Sequence, residues 1–179
     1  MTGRMPAWAA GLLVAAALAA MPSSPQAGEL PGGASSLNET HGNWRVSCRT
    51  PEGEVRCVIA QNQVRGEQRQ RVLAIELRSA QDGKAAEGTL VLPFGLKLDD
   101  GVKLAVDEAA PFATLRFSTC LPAGCLVPLT FGPATVAALR QGKAVKVMVA
   151  ASDNGKAIAL SIPLSGFSSA LDRIAELGS

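Results

Sequence analysis

Val145–Lys146–Val147–Met148–Val149, then Asp153–Asn154–Gly155, then Ile158–Ala159–Leu160–Ser161–Ile162: this stretch decides the fold class. Apolar side chains fall on every second residue on both sides of a turn signal. In an extended chain, successive side chains point to opposite faces, so each run presents one apolar face and one small or polar face. The same residues wound into a helix would be spread around its circumference. Asn and Gly both tolerate positive φ, so Asn154–Gly155 predicts a two-residue type I′ turn joining two antiparallel, half-buried strands.

The same period of two recurs outward from this hairpin. Trp44, Val46 and Cys48 share one face, and Val55, Cys57 and Ile59 face them across a turn. Leu73, Ile75 and Leu77 alternate with Ala74 and Glu76, and Val102, Leu104 and Val106 with Lys103 and Ala105. Arg65–Gly66–Glu67, Asp82–Gly83 and Asp99–Asp100–Gly101 supply turn chemistry between the runs. About nine strands are predicted, near 43–49, 55–64, 70–79, 88–93, 102–107, 112–119, 125–131, 144–151 and 156–163. A short helix is predicted over 133–141, stopped by Gly142 in a left-handed C′ role. A C-terminal helix over 168–177 carries Leu171, Ile174 and Leu177 at helical spacing. The expected fold is all-β and mainly antiparallel, a β-sandwich or partly closed barrel. The pattern lacks the long βαβ crossovers of a Rossmann-type cofactor fold.

The 179-residue chain suits one domain. Arg4 precedes an unbroken apolar run, Ala7–Met21, whose length fits the core of a secretory signal and falls short of the roughly 20 residues a spanning helix needs. Residues 1–27 are therefore read as a signal peptide, with cleavage after Ala19, Ala20 or Ala27. No later stretch is long or apolar enough to span, so no transmembrane segment is expected after signal removal. Residues 28–42 continue a Pro-, Gly- and Ser-rich stretch without apolar periodicity and are expected to be a flexible linker; residues 43–179 form the single domain.

An exported chain enters an oxidising space, where four cysteines are best read as two disulfides. Cys48 and Cys57 flank Arg49–Thr50–Pro51–Glu52–Gly53–Glu54, and Cys120 and Cys125 flank Leu121–Pro122–Ala123–Gly124. Each turn would bring its own pair of Cβ atoms together, so Cys48–Cys57 and Cys120–Cys125 are the expected bridges. Zinc ligation and C-x-x-C redox chemistry both want other spacings.

Charge and composition exclude several partners. Removing Arg4 with the leader leaves 16 basic against 15 acidic residues. Arg65, Arg69 and Arg71 lie close together, but Glu67 sits among them and no aromatic interleaves, so they read as the solvated side of a hairpin rather than a nucleic-acid face. His41 is the only imidazole; it is read as a solvent-exposed loop residue, and no G-x-S-x-G elbow accompanies it. Asp99–Asp100 and Asp107–Glu108 flank Gly or end a strand, where solvated turn residues belong, and no phosphate-loop motif occurs. No catalytic residue, cofactor or metal is expected.

Four blocks in order carry a family resemblance. Gly42–Asn43–Trp44–Arg45–Val46–Ser47–Cys48, with Cys57, Val58 and Gln61, resembles the opening of the invasion-associated locus B family. Leu92–Pro93–Phe94–Gly95–Leu96 followed by Gly101–Val102 is similar to its central segment, and Cys120–Leu121–Pro122–Ala123–Gly124–Cys125 to its C-x₃-G-C element. Leu139, Gly142–Lys143 and Ser161–Ile162–Pro163–Leu164–Ser165–Gly166–Phe167 resemble its C-terminal end. The chain departs at Asn43, where the family commonly has Asp, and at Asp99, where Pro is frequent. The resemblance covers roughly 42–174. It implies an alphaproteobacterial envelope or secreted protein, periplasmic, outer-membrane-associated or released, in a family some of whose members are linked to host-cell invasion. It offers no catalytic residues to carry over. The expected function is a non-enzymatic interaction domain with envelope or host-surface partners. The alternative is a periplasmic small-ligand binder or hydrolase with a pocket between the sheets, for which Asp99, Asp107 and Arg116 would have to converge.

Overall fold

The alternating runs pair into two antiparallel sheets in the computed structural model, which describes residues 1–3 and 30–178. The expected leader, 1–27, lies outside the described residues apart from Met1–Gly3. No helix among the described residues is long and apolar enough to cross a membrane.

In chain order the strands are β1 (Ser36–His41), β2 (Trp44–Arg49), β3 (Arg56–Arg65), β4 (Gln70–Ala80), β5 (Ala85–Leu92), β6 (Val102–Val106), β7 (Ala113–Leu115), β8 (Thr119–Leu121), β9 (Gly124–Phe131), β10 (Ala144–Ala150) and β11 (Ala157–Pro163). The helices are α1 (Pro133–Gln141) and α2 (Phe167–Leu177). One sheet has seven strands in the order β1-β2-β3-β4-β5-β9-β8, the other four in the order β11-β10-β6-β7. Neither sheet closes on itself, so the architecture is an open sandwich and not a barrel.

The alternation places the core. Trp44, Val46 and Cys48 of β2, Ile59 of β3, and Leu73, Ile75 and Leu77 of β4 are buried, while Arg45, Glu76 and Arg78 between them are exposed. Val102 and Leu104 of β6 and Val145, Val147 and Val149 of β10 answer from the smaller sheet. Four strands cannot cover seven, and the helices complete the second layer. Phe167, Ala170, Leu171 and Ile174 bury one stripe of α2, which packs against β1, β2, β3 and β4. The Trp44 and Phe167 rings meet edge to face, with centroids 5.3 Å apart.

Side chains of β2 and β3 tie the layers across an edge. Pro163 leaves its carbonyl free at the border of β11, where it accepts from Trp44 Nε1 (3.2 Å) and Gln61 Nε2 (2.6 Å). Gln63 Nε2 donates to the Ser161 carbonyl two residues earlier (2.8 Å). Gln61 is a buried polar residue, and this bond satisfies its amide donor.

Several expectations are corrected. The stretch 28–42, read as a flexible linker, is ordered from Leu30 onward: Leu30 is buried, and Ser36–His41 is β1, paired along its length with β2. Ser-Leu-Asn-Glu-Thr-His carries little apolar signal; its strand conformation comes from its neighbour's open edge. The single strand expected over 112–119 is two. β7 belongs to the four-stranded sheet and β8 to the seven-stranded one, so the chain changes sheets across Arg116–Ser118. Eleven strands among the described residues thus stand against about nine expected. The turn after β10 is longer than a two-residue type I′: Ala151 N donates to Lys156 O, Gly155 has φ 68°, and Asn154 keeps a negative φ while its Oδ1 accepts from Lys156 N. Gly142 does end α1, but with φ −76° rather than a left-handed conformation. Glycine is needed there for space, because a Cβ would lie 2.3 Å from Val106 Cγ1.

Candidate functional site

The candidate residues fall into three places, and the interior of the sandwich is not one of them. The space between the sheets near Trp44, Leu104, Phe131 and Phe167 amounts to a cavity of about 10 Å³, lined wholly by apolar side chains. That is about one water's worth of room, and it offers a polar ligand nothing to bond.

Asp99, Asp107 and Arg116 do not converge. Asp99 lies on the turn Leu98–Asp100 before β6, and Asp107 follows the opposite end of that strand. Leu115 pairs with Val102, which puts Arg116 at the Asp99 end. Asp107 braces the start of β10, where its carboxylate accepts from Lys143 N (3.1 Å) and Ala144 N (2.9 Å). Those two backbone donors hold its carboxyl below the ordinary range. Among the described residues, no group of three or more His, Cys, Asp or Glu is placed to hold a metal ion.

His41 is not a loop residue. It ends β1, and its ring bridges two elements far apart in sequence. Nδ1 lies 3.2 Å from Ser169 Oγ in the first turn of α2, and Nε2 lies 3.2 Å from Glu39 Oε2. Arg173, one turn further along α2, donates to both Glu39 oxygens, with Nη2 at 2.9 Å from one and Nε at 3.0 Å from the other. The Arg173 guanidinium first, and the His41 bond second, hold the Glu39 carboxyl below its usual 4.5.

A serine, an imidazole and a carboxylate in sequence invite a nucleophilic reading. The hydrogen bonds point elsewhere. Ser169 Oγ donates to the Gly166 carbonyl (3.1 Å), and the Glu39 carboxylate is occupied by a bidentate arginine. The serine end is thus tied within the first turn of α2, and the carboxylate end joins β1 to α2. The backbone makes the same joint. Asn43 N donates to Ser165 O (2.9 Å), and a Cβ on Gly166 would stand 1.9 Å from His41 O. Ser169 and Arg173 were beyond the reach of sequence reasoning, because 128 residues separate His41 from Ser169, and Glu39 was missed because its strand was read as linker.

The cysteines form the second place. Cys48 faces Cys57 across β2 and β3, and Cys120 faces Cys125 across β8 and β9; both pairs are bridged. The first lies against the core, with Cys48 fully buried. The second closes an exposed hairpin tip, where Leu121 is 49% exposed.

The third place is the outer surface, where two open clefts lie among the described residues. The β3–β4 ladder stops at Ile59↔Leu77 although both strands continue. The strands part there to leave a cleft of about 630 Å³ among Arg56, Glu76, Arg78 and the C-terminal end of α2. Another, of about 690 Å³, lies on the outer face of the smaller sheet beside Asp107, Lys143 and Lys146.

Comparison with known proteins places this geometry. Residues 44–175 match the family model for the invasion associated locus B (IalB) protein. An invasion protein B homolog of Brucella abortus (strain 2308) is 45% identical over 151 residues, covering 84% of this chain and 86% of the relative. Invasion protein B of Bartonella bacilliformis is 35% identical over 158 residues, covering 87% and 83%. The crystal structure of invasion associated protein b from Bartonella henselae superimposes with a TM-score of 0.73 at 37% identity, covering 79% of this chain and 97% of that one.

Proposed function

The chain belongs to the invasion associated locus B family, and from that premise we propose that it is an exported, non-enzymatic envelope or secreted protein that acts through its outer surface on envelope or host-cell partners. The observation that carries the reading is the filled interior. The small apolar cavity of about 10 Å³ near Trp44, Leu104, Phe131 and Phe167, and the failure of Asp99, Asp107 and Arg116 to converge, support a reading in which the outer surface acts. Two disulfides suit an oxidising compartment, and the apolar run Ala7–Met21 supplies a route into it. The names of the relatives point to invasion, and family membership supports a contribution of this chain to host-cell interaction or to envelope function.

Fractionation of native cells into cytoplasm, periplasm, membranes and medium, with mass spectrometry of the recovered protein, tests the reading. The expected species lies outside the cytoplasm, begins after residue 19, 20 or 27, and carries no free thiol. A cytoplasmic species with an intact residue 1 and four free thiols would overturn it.

A further inference from the structure

Three hairpin and loop tips meet at one end of the seven-stranded sheet, and each carries an exposed apolar side chain. Val64 is 39% exposed, Phe94 61% and Leu121 49%. The register places them together. Val64 pairs with Arg71 at the β3–β4 tip, Leu92 pairs with Cys125 two residues before Phe94, and Leu121 pairs with Gly124 at the β8–β9 tip. Arg71 Nη1 donates to the Ala123 carbonyl (3.3 Å), so the outer two tips touch. Three of the exposed large apolar side chains thus lie at one end of one sheet, which is the kind of surface that marks an interaction site.

The same tips are basic. Arg65, Arg69 and Arg71 stand exposed around a single acid, Glu67, and among the described residues none of the three has an ion-pair partner. Arg71 uses its donors on Asn62 Oδ1 and the Ala123 carbonyl, both uncharged. The nearby acids are Asp99 and Asp100, on the loop that crosses to the other sheet with Asp100 paired to Lys97, and exposed Asp153, on the β10–β11 turn whose Ser152 N donates to Gly95 O (2.8 Å). The tips project, and the two clefts described above lie elsewhere, one at the far end of β3 and β4 and the other on the smaller sheet. A groove would suit a partner helix or peptide. Projecting apolar side chains between arginines suit a surface with an apolar layer beneath a layer of negative charge.

We propose that this end of the sandwich docks on an anionic lipid surface, with Phe94, Leu121 and Val64 entering below the headgroups and Arg65, Arg69 and Arg71 facing lipid phosphates. The proposal rests on the reading of the chain as an exported envelope protein and names the surface that reading leaves open. Cys120–Cys125 holds Leu121 and Ala123 in place, so the tip meets the lipid already ordered.

The test is co-sedimentation of protein recovered from native cells with phosphatidylcholine vesicles, with and without about one-third phosphatidylglycerol. The expected result is saturable binding to the anionic vesicles alone, falling with salt. Replacing the three arginines by Gln should weaken binding about a hundredfold, at roughly one tenfold step or less for each charge. Phe94→Ser with Leu121→Ser should weaken it about tenfold. A Phe94→Trp reporter should shift its emission to the blue on anionic vesicles and be quenched by brominated acyl chains, which a merely structural role would not produce. Equal binding to neutral vesicles, binding indifferent to these substitutions, no binding at all, or saturable binding through the same residues to an envelope protein in place of lipid would each overturn the proposal. If vesicle binding fails while the processed chain is recovered outside the cytoplasm, the export reading stands; a cytoplasmic chain with four free thiols removes that reading whatever the vesicles show.

Discussion

Two hairpins of this molecule have two-residue turns and opposite fates. In β1–β2, His41 pairs with Trp44 around Gly42–Asn43, and the turn is pressed against Ser165–Gly166. In β8–β9, Leu121 pairs with Gly124 around Pro122–Ala123, and the turn stands in solvent. Local chemistry is alike: a tight reversal, a small residue and a cysteine further along a strand. What differs is cover. α2 comes back from the far end of the chain to close over the first hairpin, and among the described residues the second turn meets only the Arg71 side chain at Ala123 and stays exposed. The first is therefore a joint of the fold and the second a surface of it.

The strongest way to break the contrast is to block the joint. Gly166 has φ 87°, and a side chain there would collide with the His41 carbonyl. Gly166→Val should cost about 3 kcal/mol, from backbone strain and overpacking together. The equivalent insult to the open hairpin, Ala123→Val, should stay within about 0.5 kcal/mol. Chemical denaturation of both variants reads the difference, and equal midpoints would erase it.

A smaller effect separates the two bridges. Cys48–Cys57 crosses neighbouring inner strands under a packed core, so replacing both by Ser should cost roughly 2–3 kcal/mol of global stability from the lost loop closure alone. β8 is a three-residue edge strand held by one neighbour. Loss of Cys120–Cys125 should free it locally, raising amide exchange at Thr119–Leu121 while the melting temperature moves much less. Matching drops in melting temperature would show that the open hairpin is also structural.

The smallest effect sharpens the picture with pH. The Glu39 carboxyl is lowered by Arg173 and His41, so its contribution is present above its unfolded value near 4.5 and is lost as pH falls through its lower folded value. Wild type should therefore lose stability over that acid window more steeply than Glu39→Gln. Asp107 is lowered too and titrates in both proteins, so only the difference between them reports on the clamp. Parallel pH profiles would assign Glu39 no role in it.

How much of this was legible depends on distance along the chain. The period of two and the Pro- and Gly-rich turns between runs are local, and the ladders follow them closely; α1 has the bounds its Pro and Gly imply. β1 was hidden because one apolar residue, Leu37, cannot signal a strand that exists only to extend β2. The exchange of sheets at Arg116–Ser118 was hidden because an alternating pattern runs on regardless of which sheet receives it. His41 looked idle because Ser169 and Arg173 reach it only after α2 has folded back. The exposed tip was not read from the sequence, because Phe94 and its arginine neighbours come from different turns that only the sheet brings to one end.

The meeting of Trp44 with Phe167 also sets an order of events. A chain delivered amino end first presents its first hairpin with half of a socket, and the other half lies more than a hundred residues behind. Early strands can pair, but their apolar face stays wet until the closing helix arrives. The socket around Trp44 is complete only when α2 is present, so a truncation that removes this helix is expected to leave the Trp44 ring without its Phe167 partner.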